Sequence, residues 1–346
     1  MDRAETVRIT IKDVARLANV SRATVYRALE DKPGINPKTK QHIIELAASL
    51  NYQPNRLGKA LAKNEQFFFG VVTLPLKNPF SKKLLVGINE AESELLDYGV
   101  RVKIVYMEDL SPKKQSEEIY RLIDEQVKGI TIDAINGVEV LEAVNSAVDA
   151  GIPVITFNSD IAESERLCFV GQKMFQSGQV AGDLLSRFMG EAGVVFVLNG
   201  FHKFVAHRER LRGFNSVINR CYPNINVVAV EECLDDDLIA YEKTMEILEE
   251  IPEIRGVYVV GAGVSGLGKA LKDQNTSGAV KVVCNDLVPE TVQLLKDGVI
   301  DATIYQDPVK QGKLPIRLLF ELLFENKRPE REFYYTKTEI ITQYLV

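Results

Sequence analysis

There is no tryptophan in these 346 residues, and only three histidines and four cysteines. Cys168, Cys221, Cys233 and Cys284 show neither a CxxC pair nor a metal-ligand spacing, which argues against a disulfide scaffold or a zinc ribbon. They read as buried, reduced thiols, so a cytoplasmic setting is expected. His202 and His207 stand five apart, off a common helix face, and no further histidine or cysteine is near. No metal and no cofactor are expected. Long apolar runs are also missing. The longest, FFFGVVTLPL, has ten residues, short of the ~18 that a membrane span needs, and reads as a buried strand. The opening MDRAETVR has no apolar core of a secretion signal, and no membrane contact is expected. GQKMFQSG contains no nucleophile elbow and Ser177 has no evident base, so catalysis is not expected either.

What is present is a globular chain, 46% hydrophobic and 26% charged, long enough for two or three domains. Its net charge of −6 hides a division. Residues 1–63 carry 12 Lys+Arg against 6 Asp+Glu, and the remainder 30 against 42. A basic head on an acidic body points to an anionic partner for the head alone.

The head reads as three short helices. Thr10 with Asp13 makes a capping start, and Val14, Leu17 and Ala18 share a face. Asn19–Val20 is a turn, Ser21 caps a second helix with Val25, Ala28 and Leu29 inward, and Asn36–Pro37 opens a third that buries Ile43, Ile44, Ala47 and Leu50. This is a helix-turn-helix. Arg22, Ala23 and Thr24 fall at the N-terminal end of the second helix, where base edges are met, and an arginine there can donate twice to guanine O6 and N7. Thr10, Thr24, Arg27, Asn36 and Thr39 are placed to hold phosphates.

The pieces IKDVARLANVS, TVYRAL and LNYQPNRLGKALA, within residues 9–63, resemble the DNA-binding head of the lactose/galactose repressor (LacI/GalR) family. The resemblance implies a homodimer on a pseudopalindromic double-stranded operator, with Arg22 and Ala23 at the two variable base-reading positions. Ser21, Tyr52 and Asn55 belong to the same expected surface. NRLGKALA would be a hinge helix, with Leu61 wedged into the minor groove. Tyr26 stands where the family usually has serine, and Gly58 where alanine is usual.

From Phe67 onward short apolar strands alternate with amphipathic helices: FFFGVVTL, RVKIVYM, GITIDAI and IPVITFNS, then GVVFVLNG, NVVAVEE, GVYVVG, VKVVCND and DATIYQ. The alternation predicts two doubly wound parallel sheets with a break near 158–170 and a ligand at the strands' carboxyl ends. The expected domains are a helix-turn-helix at 1–54, a hinge at 55–66 and a core at 67–346. Within the core, one lobe is expected over 67–157 and 307–334, the other over 158–306 and 335–346. Strand ends supply Asn78, Phe80, Asn136, Asn158, Arg208, Asp286 and Gln306. Planar amides, a guanidinium, a carboxylate and an aromatic face form a set suited to a polyol.

This core resembles sugar receptors of the ribose-binding-protein type, the type I periplasmic binding proteins, through NPF (78–80), AGIPVITFNSD, RERLRGF (208–214), VCNDLVPE and LKDGVIDATIYQDPVKQG. The resemblance implies a small carbohydrate effector among Asn78, Phe80, Asn136, Arg208, Asp286 and Gln306. Ser81 replaces a usual second aromatic, Asn136 a usual aspartate, and Gly261–Ala262 a usual Asn-Asp. GAGVSG (261–266) also satisfies GxGxxG after a strand, with Asp286 twenty residues beyond Gly266. Two alternatives stand beside a carbohydrate-controlled transcription regulator: a redox-sensing repressor binding NAD(H) at that turn, and a cytosolic sugar-binding protein with no regulatory role.

Overall fold

The structure, a computed structural model, describes residues 11–29, 31–50, 66–75 and 79–346. Thr10, Tyr52, Asn55, Leu61 and Asn78, and the expected hinge helix over NRLGKALA, lie outside the described residues. The chain forms two compact units, Met1–Glu65 and Gln66–Val346.

In the first unit α1 (Ile11–Leu17), α2 (Arg22–Leu29) and α3 (Pro37–Ser49) close on a small core of Val14, Ala15, Val25, Ala28, Ile43 and Ala47. Asn19, at φ 51°, allows the tight turn after α1. Ser21 Oγ accepts from Thr24 N at 3.1 Å, and Asn36 Oδ1 accepts from Lys38 N at 2.9 Å ahead of Pro37. Two residues expected inside are outside: Leu17 is 54% exposed and Ile44 39%. In helices this short the inward positions are filled by Val14 with Ala15 and by Ile43 with Ala47.

The second unit contains β1 (Phe67–Thr73), α4 (Pro79–Leu95), β2 (Val100–Tyr106), α5 (Pro112–Asp124), β3 (Gly129–Ile132), α6 (Val138–Asp149), β4 (Val154–Phe157) and β5 (Cys168–Gly171). It continues through α7 (Met174–Phe188), β6 (Gly193–Asn199), α8 (Val205–Cys221), β7 (Ile225–Glu232), α9 (Asp237–Glu250), β8 (Ile254–Val259) and α10 (Val264–Asp273). Then come β9 (Lys281–Asn285), α11 (Pro289–Lys296), β10 (Ala302–Tyr305), α12 (Pro308–Glu325), β11 (Phe333–Tyr335) and β12 (Glu339–Ile341). One sheet has the order β11-β5-β4-β3-β1-β2, all parallel. The other runs β12-β10-β9-β8-β6-β7, parallel except where β12 meets β10. Strands such as β3, β4 and β5 are buried throughout, as parallel strands covered on both faces must be.

The lobe boundaries need correction. β5 and β11 belong to the first sheet, so the first lobe runs to residue 171 rather than 157 and includes Tyr335. The expected break at 158–170 runs into a four-residue buried strand, CFVG (168–171), too short to show a periodicity. The chain passes between lobes after β5, after β10 and after β11. Gln172, in the first passage, donates through Nε2 at 3.4 Å to the carbonyl of Tyr305, the last residue of β10 before the second.

Helices within a lobe approach closely. A Cβ on Gly178 of α7 would lie 1.9 Å from Arg210 O of α8. Gly178→Ala is therefore expected to lower stability by roughly 1–3 kcal/mol through overpacking, read as a lower urea midpoint with unchanged slope.

Candidate functional site

In the head unit, Arg22 and Ala23 are exposed on the first turn of α2, and Arg22 has no ion-pair partner among the described residues. Arg27 is exposed one turn on. Ser21 Oγ and Thr24 Oγ1 lie 2.8 Å apart and complete the cap, while Asn36 is engaged as a cap and Thr39 is half-buried on α3. Lys32 Nζ sits 5.1 Å from the Tyr26 ring centroid.

In the core a cavity of about 690 Å³ opens between the lobes at the carboxyl ends of the strands. The first lobe lines it with Leu74, Phe80, Glu108, Asp109 and Leu110; the second with Phe201, Phe204, Asp235–Asp237, the turn 261–265, Asp286 and Glu290. An apolar seam joins the lobes beside it, Phe204 and Phe201 against Leu74, Ile135 and Leu110. Lys83 of α4 also donates to Leu287 O across the cleft.

Of the residues expected around a ligand, Phe80, Gly261 and Asp286 stand in this lining. Gln306 does not, but its Nε2 donates to Asp286 Oδ1 at 2.7 Å and holds that carboxylate. Ser81 is buried on the inward face of α4 at 2% exposure, and Asn136 is exposed; neither lines the cavity. Asn158 Nδ2 donates to Asp133 Oδ2 at 2.9 Å and lines a different hollow. Arg208 is exposed and outside the lining. The buried arginine of RERLRGF is Arg210, which donates to Val260 O at 3.0 Å and Gln172 Oε1 at 3.3 Å. A signal for it existed: Ala206, His207, Arg210, Gly213, Phe214 and Val217 form the buried stripe of α8, and Arg208 falls off it.

Burial pushes Asp286 above the usual carboxylate range, and the Arg210 charge opposes that push. Burial likewise raises Asp237 and lowers His207, which accepts from Phe201 N at 2.9 Å. The thiols of Cys168, Cys233 and Cys284 are pushed up to about 12 by burial and stay protonated. Among the described residues no group of three His, Cys, Asp or Glu side chains is placed to hold a metal ion.

The glycine turn has a structural explanation. A Cβ on Gly261 would meet Asp235 Oδ1 at 2.5 Å, and Gly263 has φ 98°. Asp235 Oδ1 accepts from Ala262 N at 2.9 Å and Asp237 Oδ1 from Gly266 N at 3.4 Å. Carboxylates thus occupy two of the N–H groups that a pyrophosphate would use, and their charge repels one. The dinucleotide alternative is set aside on this ground. Asp236 caps α9, which begins at Asp237, and with Asp235 these aspartates give the cavity an acidic wall.

A basic helix-turn-helix preceding a two-lobed clamp defines a class, the DNA-binding regulators that answer to a small ligand. Residues 10–55 match the bacterial regulatory proteins of the lacI family, and residues 69–327 match the periplasmic binding protein domain. The chain belongs to this family of regulators, with a periplasmic binding protein domain as its core.

ExuR of Bacillus subtilis, a probable HTH-type transcriptional repressor, is 43% identical over 99 residues, 28% of this chain and 29% of that protein. The xylose/arabinose-binding protein XylF of Sulfolobus acidocaldarius is 27% identical over 220 residues. That match covers 59% of this chain and 54% of the relative, so the chain spans about half of it. AraP, an arabinose binding protein from Geobacillus stearothermophilus, superposes with a TM-score of 0.67 at 28% identity, over 81% of this chain and 97% of that one. No helix among the described residues is long and apolar enough to cross a membrane.

Proposed function

We propose that this protein is a cytoplasmic, homodimeric transcriptional repressor of sugar-utilisation genes, which grips a pseudopalindromic double-stranded operator and is controlled by a small carbohydrate. The observation that carries this reading is the union in one chain of a lacI-type head and a two-lobed core with a cavity at its strand ends. The sugars in the names of XylF and AraP support a carbohydrate as the effector. Asp286, steadied by Gln306, and Phe80 line the cavity in which it would bind. The role is binding rather than turnover.

Closing of the lobes on ligand would change how two heads are presented to DNA. Linkage then requires ligand and operator to alter each other's affinity by one common factor, about 5–150-fold. The test is fluorescence anisotropy of DNA from the gene's own upstream region, with and without a sugar panel. Specific binding that a sugar shifts supports the proposal; no specific binding at low salt sinks it. In the same assay Arg22→Ala is expected to weaken specific binding by about 1–3 kcal/mol and to flatten discrimination at one base pair.

A further inference from the structure

Resting on the carbohydrate reading, the supply of donors and acceptors around the cavity specifies the ligand further. Seven lining side chains are carboxylates, and no lysine or arginine is among the described lining residues. Of the seven only Asp109 has an ion-pair partner among the described residues, Lys114. Four backbone donors nearby are already used by the same acids: Ala262 N by Asp235, Gly266 N by Asp237, Leu238 N and Ile239 N by Asp236. Asn285 commits its amide nitrogen to Tyr258 Oη and to the carbonyls of Val259 and Val260. The Arg210 guanidinium faces Val260 O and Gln172.

Acceptors, by contrast, are left over. In Asp235, Asp236 and Asp286 the hydrogen bonds engage Oδ1, and Oδ2 has no partner among the described residues. At the end of β6, Asn199 is only 6% exposed and its Oδ1 is likewise without a partner there. β6 lies directly beside β8, the strand that leads into the glycine turn.

Such a lining is matched by a group that only donates. A hydroxyl both donates and accepts, a phosphate or carboxylate only accepts, and an ammonium has three donors and no acceptor. Charge acts in the same direction, since an anion entering the cavity meets like charge and a cation meets opposite charge. Phe80, Phe201 and Phe204 line the same cavity and give it apolar surface against which the C–H side of a sugar ring can pack. We infer that the cavity takes a protonated amino sugar and turns away sugar phosphates and sugar acids. Asp286 and Asp237, which burial shifts toward the neutral form, would be drawn back to the ionised form by the bound ammonium.

The test is titration calorimetry on the full-length protein at pH 7 with matched sets: glucosamine, glucose and N-acetylglucosamine, the galactose and mannose counterparts, and glucose 6-phosphate and glucuronate. At least one amine is expected to bind about tenfold or more tightly than its neutral and N-acetylated counterparts, with no heat from the anions. The preference should shrink in salt on the order of 0.5 M. Glu290→Gln, a change at an exposed lining carboxylate, should weaken amine binding by roughly 3–10-fold and neutral-sugar binding less. A neutral or anionic sugar binding as tightly as the amine overturns the inference and leaves the carbohydrate reading standing. Absence of binding by every sugar, while operator binding persists, overturns the carbohydrate reading and the inference with it.

Discussion

Replacing Arg210 by leucine is expected to destabilise the core by about 3–5 kcal/mol, the cost of removing one member of a buried charged network. Arg210 is the largest fully buried side chain among the described residues, at 2% exposure. Its two terminal nitrogens hold Val260 O, at the mouth of the glycine turn, and Gln172, in the first passage between lobes. Leucine would leave Gln172 Oε1 without its donor and would remove the positive charge that holds Asp286 down. Lysine keeps the charge but cannot fork to two acceptors, so Arg210→Lys should recover less than half of the loss. Urea unfolding of the three proteins at pH 7 gives the comparison. A loss below about 1 kcal/mol for the leucine variant would show that the network contributes little more than an ordinary hydrogen bond.

The second large effect belongs to Asp133 and depends on pH. This carboxyl follows β3, is fully buried, accepts from Asn158 at 2.9 Å through Oδ2, and has no partner for Oδ1 among the described residues. Burial lifts its pKa from 3.8 to about 7. Below 3.8 both the folded and unfolded chains hold the proton; between 3.8 and 7 the folded chain holds it and the unfolded chain does not. Stability therefore falls as pH rises through this window and levels off above it. Three pKa units correspond to about 4 kcal/mol. Asp133→Asn keeps an acceptor for Asn158 and removes the titration, so it should exceed the parent in stability by roughly 2–4 kcal/mol at pH 8 and by little near pH 4. Stability measured against pH for both proteins decides the matter; parallel curves would exclude Asp133 as the group responsible.

Much of this architecture was legible in the residues because local and global signals agree. Ser21 and Asn36 cap where caps were expected, and the β-α alternation carries two sheets. What escaped was short or remote. β5 is four buried residues with no alternation to read, and β11 has three. Among the arginines of RERLR, periodicity marks Arg210 as the inward one, whereas alignment to a sugar receptor marks Arg208. The acidic wall could not be read at all, because Glu108 and Asp235–Asp237 come from opposite lobes and meet only in the fold. Asp133 likewise looks like any strand-end aspartate until its surroundings are known.

The three passages between the lobes also bear on the order in which the protein can assemble during synthesis. Helix α12 packs against α4, and β11 closes one edge of the first sheet, yet both follow nearly the whole second lobe in the chain. As a ribosome releases the polypeptide, the second lobe has five of its six strands before the first lobe receives either piece. The lobe begun first is completed late, and until α12 emerges the apolar flank of α4 is left for chaperones to cover.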